Sequence, residues 1–269
     1  MNNYIGTIGC GWLGLPLAEA LVLDGFNVKG STTAENKLSI LNNAGIEPYL
    51  ISLSENSIEG DITNFLNGVK TLVLNVPPKL RGTNSENYVA KMQVLYSAIK
   101  KSEVKNIVFV SSTSVYGDID GEVTEKTIPA PTTASGKQLL ASENIFKNDP
   151  LLQTTIIRFG GLISEDRHPV TMLSKKDNLQ NGNMPVNLIH RNDCIRIIEL
   201  ILKEDTWNVI INGVYPKHPT KKEYYKREAI LRDLKPPVYI EDSTINGKII
   251  IPEYLLNVKN FNFLTSIEN

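Results

Sequence analysis

The feature that most limits what this chain can fold into lies at its N-terminal end. A short apolar run at 4–8 leads into Gly9-Cys10-Gly11-Trp12-Leu13-Gly14, and an amphipathic stretch at 12–23 follows at once. Glycines spaced G-x-G-x-x-G between a strand and a helix have a mechanical meaning. Gly9 allows the tight turn, Gly11 lets a pyrophosphate approach the backbone, and Gly14 lets helix and strand pack closely. The amides of Trp12 and Leu13 then point at phosphate from the helix N-terminus. The spacing alone also describes a tight turn with no ligand; the strand–turn–helix context predicts dinucleotide binding.

The rest of the first half supports that context. Runs at 27–29, 46–53, 71–76 and 106–110 read as buried parallel strands, and 34–42 and 88–101 as helices packing on a sheet. Asp24-Gly25 and Ala44-Gly45 place glycine where helices end. Strand and helix in alternation predict an α/β fold: a Rossmann-type doubly wound parallel sheet with helices on both faces. Further on, 153–159 reads as a strand after a helix at 134–147. A loop-rich stretch from 160 to 187 follows, then helices at 192–203 and 221–231, with short strands at 208–211 and 248–251. The long loop suits a substrate lid.

Composition narrows the function classes. The 269 residues are 41% hydrophobic and 21% charged, enough for a sizeable core. With 28 Lys+Arg against 29 Asp+Glu, the formal charge of −1 gives no broad basic field, so no nucleic-acid partner is expected. No apolar run approaches the ~20 residues of a membrane span. Two cysteines, Cys10 and Cys194, make neither a disulfide framework nor a zinc site, and His168, His190 and His218 show no metal-ligand spacing, so no metal is expected. A cytoplasmic protein is the expectation, with no membrane partner.

An NAD site usually offers a carboxylate about 20 residues beyond the turn. Here the segment reads Asn27-Val-Lys29-Gly-Ser31-Thr32-Thr33. Ser31, Thr32 and Thr33 are candidate partners for a 2′-phosphate, with charge from Lys29 or Lys37, which favours NADP over NAD; the competing reading is a polar turn that caps the next helix. Asn75 and Val76, before Pro77-Pro78, sit where such a fold passes the cofactor ribose, although Asn75 also suits a strand-end cap. Asp61 reads as a helix cap.

At Ser111-Ser112-Thr-Ser-Val115-Tyr116-Gly117 the chain resembles the extended short-chain dehydrogenase/reductase superfamily, which includes nucleotide-sugar epimerases and dehydratases. Ile156-Ile-Arg158-Phe-Gly160-Gly161 is similar to its strand-and-loop segment, and Asn187-Leu-Ile189-His190-Arg-Asn-Asp193 to its N-x-I-H-x-x-D segment. The resemblance covers about residues 4–235. It implies a Rossmann domain over 1–160 and a smaller, interleaved substrate-side part over 161–269 of the same globule. It also implies a homodimer contact through the helices at 88–101 and 134–147.

The family's catalysis uses a Ser/Thr to bind the substrate oxygen, a Tyr as acid/base, and a Lys four residues beyond that Tyr. By resemblance Ser112 and Lys137 take the first and last roles, with Lys137 also on the nicotinamide ribose. Thr133 stands where the tyrosine belongs. An unassisted threonine hydroxyl is too weakly acidic for that proton transfer. Three readings stay open. Redox chemistry is lost; Ser135 or another group acts through water; or Tyr116, Tyr224 or Tyr225 reaches in. The resemblance implies an NADP-dependent oxidoreductase or epimerase/dehydratase-like enzyme on a small polar or sugar-nucleotide substrate. The alternative is a catalytically degenerate NADP(H)-sensing or scaffold protein. Among other residues, Arg158 reads as pairing with a carboxylate or a substrate phosphate, Arg167-His168 as solvated loop charge or an anion contact, His190 as a local loop tie, and 221–227 as a solvated helix face.

Overall fold

The computed structural model describes residues 4–78, 86–240 and 247–267. Its main sheet contains β1 (Tyr4–Ile8), β2 (Asn27–Thr32), β3 (Glu47–Leu50), β4 (Val69–Leu74), β5 (Asn106–Ser112), β6 (Gln153–Phe159) and β7 (Ile210–Gly213). The strands lie in the order β7-β6-β5-β4-β1-β2-β3. β1 pairs in parallel with β2 and β4, β2 with β3, and β4 with β5. The helices are α1 (Gly14–Leu23), α2 (Leu38–Asn43), α3 (Ile62–Leu66), α4 (Tyr88–Ile99), α5 (Ala134–Lys147), α6 (Val170–Leu173), α7 (Arg191–Lys203) and α8 (Lys221–Leu231). This is the doubly wound Rossmann-type architecture that the alternation predicts.

Its central strands are apolar because helices flank the sheet. Leu72, Val73, Ile107, Val108 and Phe109 are fully buried, as parallel strands covered on both faces must be. Leu17, Ala18 and Leu21 bury one stripe of α1, each leucine contributing about 1.5–3 kcal/mol of apolar burial. The chain winds from β1 outward to β3, then returns across to β4. The strand order therefore reverses between β1 and β4, the place where open α/β sheets bind ligands.

Several boundaries differ from the sequence expectation. The strand expected at 46–53 is two, β3 and a short Ser52–Leu53 strand antiparallel to Ile58–Glu59. Ile51 between them sends its amide to the Thr32 carbonyl, and Gly60 packs against Leu50. The helix expected at 34–42 opens as a 3₁₀ turn, Glu35–Lys37, before α2. Asp61 caps α3 by accepting the Asn64 amide at 3.0 Å, as expected.

The chain divides into two compact units. The first comprises Met1–Val115, Pro131–Ile157 and Ile195–Ile210; the second comprises Tyr116–Ala130, Arg158–Cys194 and Ile211–Asn269. In the second unit, short strands pair in parallel, Gly161–Ile163 with Leu188–His190 and Gly121–Val123 with Lys248–Ile250. Its core gathers Ile163, Val170, Val186, Leu188, Tyr224 and Ala229. Among the described residues no helix is long and apolar enough to cross a membrane, and no group of three or more His, Cys, Asp or Glu side chains is placed to hold a metal ion.

Candidate functional site

The glycine turn is built from the ends of three strands. Gly9 has φ +94°, open to glycine and strained for other residues. Its amide donates to Ser31 Oγ at 3.1 Å, from the end of β2, and its carbonyl accepts from Asn75 Nδ2 at 2.9 Å, just beyond β4. Cys10 N–H adds a bond to the Ser31 carbonyl at 2.8 Å. A Cβ on Gly14 would collide with the Gly9 carbonyl and lie 2.8 Å from Asn75 Nδ2. A Cβ on Gly11 would meet nothing within 4 Å, so the backbone there faces open space. The first helical bond runs from Leu15 N–H to the Gly11 carbonyl at 3.0 Å, which places the amides of Trp12 and Leu13 in the turn that opens α1. Close packing at Gly14, open space at Gly11 and a helix N-terminus are the geometry a pyrophosphate needs.

The end of β2 corrects part of the expectation for a 2′-phosphate. Ser31 is buried, and its hydroxyl holds the turn. Thr32, also buried, accepts the Ala34 amide at 3.2 Å in a local turn, and neither the 3₁₀ turn nor α2 that follows has a side-chain cap, so the capping alternative does not hold either. Thr33 is exposed. Lys29 is buried and turned away to α3, donating to the carbonyls of Asn64 and Asn67 at 2.7 and 2.9 Å across the ring faces of Tyr4 and Tyr49. Its charge is therefore spent on a helix C-terminus. Lys37 remains, and its field is felt at Cys10 beside the turn. Burial nonetheless pushes the Cys10 thiol up to about 12, which makes it a packing residue and no nucleophile. The Val76 carbonyl accepts the phenol of Tyr88 at 2.8 Å.

Ser112 ends β5, half-buried, its Oγ accepting the Ser114 amide at 3.2 Å. Thr133 is the N-cap of α5, its Oγ1 accepting the Gly136 amide at 3.1 Å. That role explains a threonine at this position without any chemistry. One turn on, Lys137 is exposed. A Cβ on Gly136 would come within 2.7 Å of the Ser114 carbonyl, so the first turn of α5 lies against the loop that leaves β5. Ser112 lies two residues before one side of that contact and Lys137 one residue after the other. Behind them Ser111 Oγ donates to buried Glu143 at 2.5 Å, tying β5 to α5. The sequence reading missed this pair, since the only trace of it is a glutamate in an otherwise apolar helix face.

The second unit engages most of the other candidates structurally. Tyr116 is fully buried, donates to Asn212 Oδ1 at 2.8 Å and lies 4.9 Å beneath the guanidinium of buried Arg158. His168, expected in a solvated loop, is instead a core residue. Its Nδ1 accepts the Val170 amide at 3.2 Å, which leaves the proton on Nε2, 2.9 Å from the Tyr224 hydroxyl. Burial pushes its pKa down to about 4. His190 ties its own loop, as expected, accepting the Asn192 amide at 3.2 Å. Asp193 accepts the amides of Leu264 and Thr265, each at 3.0 Å, and fixes the C-terminal segment. The 221–227 face is not wholly solvated, because Tyr224 and Tyr225 are buried.

Comparison with known proteins agrees with this geometry. A family model described as NAD(P)H-binding matches residues 9–193, beginning at the first glycine of the turn. Protein YeeZ of Escherichia coli strain K12 is 33% identical over 261 residues, covering 96% of this chain and 95% of that one. A Bacillus subtilis protein named as an uncharacterized UDP-glucose epimerase, YtcB, is 26% identical over 73% of this chain and 71% of its own length. Among solved structures, UDP-glucuronic acid 4-epimerase from Bacillus cereus in complex with NAD superposes with a TM-score of 0.80 at 17% identity, covering 98% of this chain and 92% of that one. On the family match and the fold together, the chain belongs to the NAD(P)H-binding family and carries the Rossmann fold of the epimerase-like short-chain dehydrogenases/reductases.

Proposed function

We propose that this chain binds NADP(H) at the glycine turn and acts as an oxidoreductase or epimerase-like enzyme on a small polar or sugar-nucleotide substrate. The observation that carries the reading is the turn itself: Gly9 and Gly14 locked between β1, β2 and β4, with open space over Gly11. In this reading the pyrophosphate lies over Gly11 against the amides of Trp12 and Leu13. Thr33 and Lys37 face the 2′-phosphate, while Ser31 and Asn75 hold the turn that receives it. The absence of a carboxylate from β2 supports NADP, although the B. cereus epimerase was solved with NAD. When bound, the nicotinamide supplies a hydride acceptor and donor. Ser112 then orients a substrate oxygen by hydrogen bonding, and Lys137 holds the ribose.

Thr133 favours a second reading. Its hydroxyl already serves as the cap of α5, and no tyrosine occupies that position, which suits a protein that binds NADP(H) without turnover. Calorimetric titration with NADPH, NADP, NADH and NAD tests the shared premise. Selective binding of the phosphorylated pair is expected, and no binding of any of the four removes both readings. With binding in hand, Thr133→Tyr separates them. New carbonyl reductase activity marks a site lacking only its acid, and continued silence favours the sensor.

A further inference from the structure

Lys221 stands at the edge of a pocket in the second unit that the cofactor reading does not use. The pocket has a volume of about 220 Å³ and is walled by residues 184–188, by α8 at Lys221 and Tyr225, and by the strand that begins at Lys248. Main-chain bonds fix these walls. Lys221 N–H donates to the Met184 carbonyl at 2.9 Å, and Val186 N–H to the Pro219 carbonyl at 3.0 Å. Asn187 bonds the Lys248 carbonyl and the Ile250 amide, both at 2.8 Å.

The Lys221 side chain is half-buried and faces an apolar wall of Met184, Pro185, Val186 and Leu188. The polar contact of its Nζ is the Met184 thioether at 3.7 Å, a weak acceptor. The nearest acids in sequence are engaged elsewhere. Glu223 closes the capping box of α8, accepting from the Thr220 amide at 3.2 Å and the Thr220 hydroxyl at 2.7 Å. Glu228 is paired with Arg227, Arg232 and His168. Lys248 donates to the Gly117 carbonyl at 2.7 Å and feels the charge of Asp118, so it brings positive charge to the pocket and no counter-charge. Lys221 is also the first residue of α8, at the positive end of the helix dipole. Apolar wall, like charge and helix end all favour the neutral amine over the ammonium, and burial pushes its pKa down from the ordinary lysine range.

We infer that Lys221 is a nucleophilic amine that captures a compact aldehyde or ketone in this pocket as an imine. The lone pair of the neutral nitrogen attacks the carbonyl carbon, and one N–H proton passes to the oxygen to give a carbinolamine. Its hydroxyl leaves with the second N–H proton as water, and the C=N bond closes. Tyr225 lies four residues on, shares the helical face and lines the same pocket. Burial pushes its phenol up to about 12, so it holds a proton to give the departing hydroxyl and takes one back from the nitrogen. The volume is below the ~300–1,000 Å³ of pockets that enclose drug-sized ligands, which limits the carbonyl compound to a few carbons against the apolar wall. The inference concerns the second unit alone and stands whether or not the glycine turn takes a dinucleotide.

Propanal with sodium cyanoborohydride, added to the full chain at neutral pH, tests it. The hydride donor converts each imine into a stable secondary amine, which peptide mapping by mass spectrometry locates. Lys221 should be alkylated first, several-fold faster than exposed Lys222 beside it. As the pH is raised, the rate at Lys221 should level off before that at Lys222, which accessibility alone would not produce. Pyrenecarboxaldehyde, too large for the pocket, should show no preference for Lys221. Lys221→Arg keeps the charge, should fold as the parent chain does by circular dichroism, and should lose the early adduct. Equal rates at Lys221 and Lys222 with propanal, or an equal preference for Lys221 with the pyrene aldehyde, overturns the inference.

Discussion

Ser31 and Asn75 reach the same loop from opposite sides, one accepting the Gly9 amide and the other donating to its carbonyl. Neither side chain needs to touch a ligand to control whether one binds. Ser31→Ala leaves the Gly9 amide without its acceptor, which should cost about 1–2 kcal/mol of stability, more than an exposed serine would. The same variant should weaken NADPH binding through a looser turn, read by the fluorescence of the bound nicotinamide. Gly14→Ala should abolish binding, because its Cβ has no room beside the Gly9 carbonyl. If Ser31→Ala binds NADPH as tightly as the parent chain, the turn does not depend on this hydroxyl. The sequence exposed the glycines but not their two supports, since Ser31 and Asn75 lie 22 and 66 residues from Gly9. For the same reason it misplaced Lys29, whose acceptors lie 35 and 38 residues on.

At the scale of whole elements, legibility followed the source of each element's stability. The strands β1 and β6 and the helices α5 and α8 appear where the residue pattern places them, because their signals are local. The segment after Leu50 does not, because its backbone is claimed by Thr32 and Gly60 from elsewhere in the chain. Thr133 is the instructive case. Judged against a family pattern it reads as a missing tyrosine, and judged as the residue before a helix it is a sound N-cap. The cap predicts that Thr133→Ala destabilises the chain by about 1 kcal/mol and that Thr133→Ser does so by much less. Urea unfolding measures both. A Thr133→Ala chain as stable as the parent would mean that α5 does not rely on the cap.

For the molecule as a whole, the buried imidazole of His168 sets a dependence on acid. Around it lie the Tyr224 hydroxyl and, 3.6 Å away, Glu228, which is itself paired with Arg232 and Arg227. An imidazole titrates near 6.5 when free and near 4 in the folded chain. The unfolded chain therefore takes up this proton first. Stability from this group is complete above pH 6.5, falls between 6.5 and 4, and changes no further below, a total on the order of 3–4 kcal/mol. The midpoint of urea unfolding should drop from pH 7.5 to pH 4.5, and His168→Gln should flatten that slope. An unchanged slope in the variant would assign the acid sensitivity to other groups.

The chain passes between its two units after Val115, Ala130, Ile157, Cys194 and Ile210. The outer strand of the sheet, β7, therefore comes from sequence far beyond β6. A piece ending near residue 160 keeps β6 but strips it of its neighbour, exposing a row of unpaired amides and carbonyls that invites association with other chains. Recombination cannot trade the second unit of such a chain as a cassette. Descendants that acquire new ligands must do so by replacements and loop-length changes made in place.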